Sequence, residues 1–285
     1  MSQSLFSRLW PILILLVSMS SVQSSASLAK YLFPILGPEG MTAWRLFFSA
    51  CMLSLIFKPW KKRISRQACL PIAVYGIALG MMNLAFYNAI ERIPVGIAVA
   101  IELAAGPILV ALLSSRSLRD FLWLGLAIIG LCLLLPLGQA NSQIDLVGIL
   151  LAAVAGIGWA LYILFGKKAG TIHGPSSVAL GSILGAIIIF PLGVVTSDDI
   201  MFSTSIIPMA FLVAFLASTL PYGLEMIALP RLSAKLFSAL MSLSPVLASL
   251  SSFIFLHEQL SFVQWLAIIL IVISSIGTVL ASQKK

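Results

Sequence analysis

The sequence predicts an all-α integral membrane protein with ten transmembrane helices arranged as two inverted five-helix repeats. Three observations carry that expectation: composition, ten long apolar runs, and basic residues gathered at alternate ends of those runs. A soluble domain is about half apolar and a quarter charged, whereas 60% of these 285 residues are apolar and 9% are charged. The formal charge of +8 does not mark a nucleic-acid binder, because such proteins cluster their bases on the polar face of a soluble fold. Here most Lys and Arg sit in short gaps between apolar runs, so nucleic acid is excluded as a partner. Cys51, Cys69 and Cys132 are odd in number and widely spaced, which argues against a disulfide framework or a zinc site.

Crossing the hydrocarbon takes about 20 apolar residues. Ten stretches qualify: 10–29, 41–57, 70–89, 94–113, 121–137, 145–165, 175–195, 206–227, 232–256 and 262–281. Their apolar character is continuous rather than alternating, so helices are expected instead of barrel strands. Arg8, the run 10–19 and the Ser-rich stretch through Ser24-Ser25-Ala26 imitate a cleavable signal peptide. The repeat described below needs that run as its first span, so the expectation is a retained helix.

Orientation follows from the loops. Arg8, Lys58, Lys61, Lys62, Arg63, Arg66, Arg116, Arg119, Lys167, Lys168, Arg231, Lys235, Lys284 and Lys285, 14 of the 17 basic residues, fall on the side that holds the N-terminus. Lys30 and Arg92 fall on the other side, and Arg45 lies inside span two. The positive-inside rule then predicts that both termini are cytoplasmic.

Weak self-similarity recurs at a nearly constant offset. Ala29-Lys30 matches Gly166-Lys167, Gly37-Pro38 matches Gly174-Pro175, Pro107 matches Pro245, and Trp123-Leu124 matches Trp265-Leu266. Spans one to five (1–139) thus correspond to spans six to ten (140–285). An odd number of spans per unit makes the two halves enter the membrane in opposite senses, as in many secondary transporters. Two halves with similar packing options can expose one midplane site to either side in turn.

Charges retained in hydrocarbon usually face a cavity or a partner. Glu102 lies eight residues beyond Pro94, about 12 Å along a helix, which places it near the bilayer centre. There it either exchanges a proton, meets a substrate ammonium, or bridges helices through hydrogen bonds. Arg45 either snorkels to the headgroups or points inward, where its guanidinium suits a carboxylate. Together the two charges suit a zwitterion. Ser218, Tyr222 and Glu225 share one face of span eight, and Glu225 alternatively pairs with Arg231. Asn83 and Tyr87 in span three, Trp159 and Tyr162 in span six, and the hydroxyl stripe containing Ser242 in span nine complete the candidate lining. Gly106, Pro107 and Pro245 are candidate hinges, because a proline removes a backbone donor inside a helix.

Enzymatic chemistry is not expected. His173 and His257 fall on opposite sides, Asp198-Asp199 reads as a solvated turn, and no phosphate loop or nucleophile elbow occurs in a suitable place. Neither a metal nor a cofactor is implied.

At these residues the chain resembles the drug/metabolite transporter superfamily in its paired-EamA form. The stretch LHEQLSFVQWLAIILIVISSIG, residues 256–277, resembles the end of an EamA repeat. LGPEGMTAWRL, FKPW, IPVGIAVAIELAAGPILVALLSSR, LLPLGQ, GWALYILFGKKAG, HGPSSVALGSI and LPYGLEMIALPRL resemble the subgroup that exports threonine and homoserine. The resemblance implies a ten-helix basket in the bacterial inner membrane, with spans five and ten as outer scaffold. It implies export of a small neutral amino acid by alternating access, coupled to protons; the alternatives are another metabolite or drug as cargo on the same fold and, less favoured, a membrane-embedded lipid-modifying enzyme. It also strengthens Glu102, Arg45, Tyr222 and Glu225 as site residues. The expected partners are the solute, a proton and the lipid bilayer, and a homo-oligomer is compatible with all of this.

Overall fold

The computed structural model describes residues 5–114, 118–134, 145–228, 232 and 240–282. In chain order these form α1 (Leu5–Phe57), α2 (Arg66–Arg92), α3 (Val95–Ser114), α4 (Leu118–Leu134), α5 (Leu146–His173) and α6 (Ser176–Ser197). There follow α7 (Ile206–Ala214), a π turn (Phe215–Thr219), α8 (Leu220–Ala228), α9 (Ser244–Leu256) and α10 (Phe262–Ser282). Among the described residues there is no strand. Four helices, α1 over Leu9–Phe57, α2, α5 and α6, are long and apolar enough to cross a membrane. Large apolar side chains cover the outside, among them Leu55, Leu70, Leu122, Leu164, Ile187 and Val195, each more than 60% exposed. Water does not tolerate so continuous an apolar exterior, whereas lipid does. The molecule is therefore an all-helical protein with the surface of a membrane protein.

The expected gap between spans one and two is a break rather than a loop. Helix α1 runs through it and is interrupted only at Gly37, with φ 68 and ψ 165. Side chains rarely adopt that conformation, glycine does so freely, and Pro38 opens the second arm where its missing N–H costs nothing. Gly174, at the matching place between α5 and α6, has φ 84 and ψ −166. The two Gly-Pro junctions therefore turn the chain in the same way.

Span nine also differs. Residues 242–243 form a turn, and α9 starts at Ser244 with Pro245 in its first turn. Pro245 thus begins a helix rather than kinking one, as expected of a residue without a backbone donor. Helix α3 is continuous across Gly106-Pro107; the Pro107 ring lies outside the described residues. His173 is the buried last residue of α5 rather than a loop residue. His257 ends α9 in the left-handed region.

Packing depends on small residues. Gly76-x3-Gly80 of α2 and Gly181-x3-Gly185 of α6 face one another. A Cβ on Gly76 would stand 2.8 Å from the Gly181 carbonyl oxygen, and one on Gly80 would stand 3.4 Å from Gly185 Cα. Helices that approach so closely gain dispersion contacts that lipid does not supply. Helix α2 is also packed along α5, α1 along α6, and α4 along α10. Serines tie the crossings: Ser27 and Ser251 hydroxyls share a hydrogen bond at 2.9 Å, Ser197 donates to Leu36 O at 2.6 Å, and Ser274 donates to Trp123 O at 2.6 Å.

This geometry predicts opposite outcomes for one chemical change. Gly76→Ala forces backbone apart and should cost about 1–3 kcal/mol, whereas Gly125→Ala, where an added Cβ meets nothing within 4 Å, should be neutral or gain up to about 1 kcal/mol of helix propensity. Thermal unfolding of the detergent-solubilised variants measures both, and equal midpoints would discard the close-crossing account.

Candidate functional site

Two adjoining lobes, of about 180 and 380 Å3, open inside the bundle. Val22, Arg45, Met82, Asn83, Trp159 and Met241 line both. Glu102, Gln23, Phe86 and Val99 close the smaller lobe. The larger lobe extends past Ser49, Ser218, Tyr75 and Tyr162 to Val178, Ser182 and Glu225. Val178 is two residues from the start of α6. Neither α4 nor α10 contributes a described lining residue, so these two helices buttress the bundle from outside.

Arg45 points into the chamber rather than out to headgroups. Its guanidinium carbon lies 5.1 Å from the centroid of the Tyr87 ring, a distance at which the ring quadrupole attracts a cation. Tyr87 is fully buried and flanked by Phe33 at 5.5 Å and Phe86 at 6.2 Å. Its hydroxyl has no hydrogen-bond partner among the described residues. The Tyr87 ring therefore lies against Arg45. Tyr87 stands behind the chamber wall.

Glu102 sits where α5 presses on α3. A Cβ on Gly156 would stand 2.5 Å from Glu102 O, so the missing side chain at Gly156 lets α5 lie against the backbone that carries the carboxylate. Arg45 and Glu102 share the smaller lobe. The ion pairs among the described residues lie elsewhere: Lys30 with Glu258 at 2.7 Å and Arg92 with Asp145 at 3.3 Å. A cation and an anion thus face one small cavity with room between them. A guanidinium and a carboxylate so placed are complementary in charge to the two ends of a zwitterion.

The remaining candidates divide. The Asn83 amide donates to Leu79 O at 2.7 Å, which leaves its carbonyl oxygen at the shared wall. Trp159 lines both lobes, and Tyr162 stacks on Tyr75 at 4.9 Å in the larger one. Glu225 faces the larger lobe and accepts the Ser18 hydroxyl at 3.1 Å; Arg231 lies outside the described residues. So does the Tyr222 side chain. Ser242 is almost fully buried and donates to Ser275 at 2.8 Å, so it joins helices instead of lining the chamber. Gln23, Ser49, Tyr75 and Phe86 line the chamber without having been singled out in the sequence. Their neighbours come from remote helices: Ser49 donates to Ser218 of the π turn at 2.8 Å. Such turns commonly mark functional sites, but residues 215–219 carry no sequence signal for one.

A larger apolar groove of about 500 Å3 lies between α1 and α6, lined by Phe47, Ile183 and Phe190 among others. No charged residue reaches it, so it offers a polar solute nothing.

The fold and the chamber define a helical membrane protein built around a small, charged internal cavity. Residues 146–280 match the EamA-like transporter family. The threonine/homoserine exporter RhtA of Salmonella typhimurium strain LT2 is 50% identical over 275 residues, which is 96% of this chain and 93% of that protein. RhtA of Escherichia coli strain K12 is 48% identical over the same shares. The chain belongs to the EamA-like transporter family. A solved crystal structure 18% identical in sequence superposes with a TM-score of 0.60, covering 97% of this chain and 99% of the other. At that identity the likeness shows the fold alone.

The Tyr87 geometry sets a test. Tyr87→Phe keeps the ring and should leave solute transport near the parent rate, whereas Tyr87→Leu removes a cation–π contact worth about 0.5–2 kcal/mol and should lower apparent solute affinity about two- to thirtyfold. Concentration-dependent uptake or efflux in vesicles reads the difference. Equal loss in both variants would transfer the role from the ring to the hydroxyl.

Proposed function

We propose that this protein exports small neutral amino acids of the threonine and homoserine kind across the bacterial inner membrane, by alternating access and in exchange for protons. The observation that carries the reading is the pairing of Arg45 and Glu102 across one lobe small enough for a single small solute. Relatives at 48 and 50% identity over 96% of the chain bear the name threonine/homoserine exporter, which supports an amino-acid cargo and a transporter rather than an enzyme. Arg45 receives the carboxylate. Glu102 receives the ammonium or carries the proton.

In this reading the chain makes ten spans in two inverted repeats, 1–139 and 140–285, with both termini in the cytoplasm. The matching conformations of Gly37 and Gly174, the family match over 146–280 and the 14-to-2 distribution of basic residues between the two loop sides support it. Pro107, inside α3, and Pro245, in the first turn of α9, are the places where the halves flex. Replacing either by Ala should change transport rate more than expression. Reporters fused after Lys62 and after Lys285 should both read cytoplasmic, and a periplasmic signal at either would refute the orientation.

Efflux of labelled threonine from loaded vesicles under a pH gradient tests the activity. Glu102→Gln keeps size and hydrogen bonding but removes the titratable proton. If Glu102 couples protons, the variant inserts normally, loses uphill efflux and keeps solute exchange. If it binds the ammonium, exchange falls about tenfold or more, because a charge-assisted hydrogen bond of about 1.5–3 kcal/mol is weakened. Gradient-driven efflux at the parent rate in a normally inserted variant would remove Glu102 from the mechanism.

A further inference from the structure

A neutral amino acid held by Arg45 and Glu102 leaves a second carboxylate of the chamber unused. That carboxylate is Glu225 of α8, which lines the larger lobe. The hydroxyl of Ser18, fully buried on α1, donates to one of its oxygens at 3.1 Å. The same hydroxyl lies 3.4 Å from Pro221 O, so Ser18 is set against the first turn of α8 and fixes where the carboxylate stands. Among the described residues Glu225 forms no ion pair.

The rest of the larger lobe suits an alkyl cation. Tyr75 and Tyr162, stacked at 4.9 Å, and Trp159 line the same space. Aromatic rings attract a desolvated ammonium through their quadrupole, and their apolar surface packs against methylene groups. A carboxylate set among them adds a charge-assisted hydrogen bond for the ammonium. Volume points the same way, because the lobe offers about 380 Å3, whereas the side chain of threonine or homoserine has only a few heavy atoms. Charge agrees as well. Among the described lining residues there are one cation, Arg45, and two carboxylates, Glu102 and Glu225. A neutral zwitterion matches Arg45 and Glu102 alone. A zwitterion with one further ammonium matches all three, and unmatched charge at membrane depth is costly.

We infer that the larger lobe is a side-chain subsite for a cation, and that the protein also carries amino acids whose side chain ends in an ammonium, such as ornithine and lysine. The solute carboxylate stays on Arg45, which lines both lobes. The α-ammonium meets Glu102, and the side-chain ammonium meets Glu225 among Tyr75, Trp159 and Tyr162. The placing of the α-groups rests on the function proposed above; the affinity of the larger lobe for a side-chain ammonium does not.

The test compares ornithine with norleucine, which has a methyl group in place of the side-chain ammonium and is otherwise the same length. Both compete with labelled threonine, and in a second series with labelled ornithine, for the full-length protein in proteoliposomes. In the parent, ornithine should bind about tenfold or more tightly than norleucine, the gain expected of one charge-assisted hydrogen bond. Glu225→Gln keeps the shape of the side chain without its charge and should abolish that preference. A purely structural role for Glu225 would weaken both solutes alike and leave their ratio unchanged. Ornithine loaded into parent proteoliposomes should also leave them down its own gradient faster than from protein-free liposomes. Equal binding of ornithine and norleucine in the parent overturns the subsite, and so does a parent-like preference in inserted Glu225→Gln. Should that variant fail to insert, Tyr162→Leu, which leaves Glu225 in place, should lower the preference, and an unchanged ratio there overturns the subsite instead. Ornithine that binds with the expected preference but does not cross overturns its carriage. If threonine fails to displace labelled ornithine while the preference holds, the neutral cargo proposed above falls and the cation subsite stands.

Discussion

Hydrocarbon offers no hydrogen-bond partner, so polar atoms at that depth must find one inside the protein or bear a desolvation cost of several kcal/mol. Most of this interior can be understood from that constraint. The serines that would be surface residues in water become ties between helices: Ser21 with Leu216 O, Ser27 with Ser251, Ser49 with Ser218 and Ser242 with Ser275. The same constraint confines the backbone to helix and places its breaks where glycine and proline make them inexpensive, at Gly37 and Gly174. Small residues then allow the helices to approach closely enough for these ties to form, as at the crossing of Gly76-x3-Gly80 with Gly181-x3-Gly185.

Against that background the charged groups that line the chamber stand out. Arg45 and Glu102 do not neutralise one another through a direct ion pair, yet they face the same lobe. A protein selected only for stability would pair them or replace them with apolar residues. Their separation has a physical use if a solute carrying both charges completes the arrangement. The supports behind them are apolar: an aromatic ring under the guanidinium, and a glycine where the α5 helix touches the Glu102 backbone. Such supports hold the charged groups without competing for them.

The ion pairs outside the chamber have a different setting. Lys30 and Glu258 are four-fifths buried and bonded to main-chain groups, whereas Arg92 and Asp145 are more exposed and worth less individually. Among the described residues, both ion pairs lie at the same ends of their helices, on the side away from the larger lobe.

The sequence by itself determined the class of structure and much of its plan. Continuous apolar runs require helices in lipid because each helix satisfies its own backbone. Glu102 and Arg45 were legible as candidates because charge in such runs is costly wherever it occurs. The Gly-Pro pairs were legible as matching positions, but that Gly37 merely interrupts one long helix was not. What only the tertiary structure decided was every question of facing: that Tyr87 carries Arg45 on its ring, that Ser242 joins Ser275 rather than lining the chamber, and that Gln23, Ser49, Tyr75 and Phe86 belong to the wall. In a soluble helix the polar stripe marks its outward face, but here lipid-facing and partner-facing surfaces are both apolar. Periodicity therefore loses the contrast that would identify the inner side, and contacts between residues more than a hundred positions apart supply it instead.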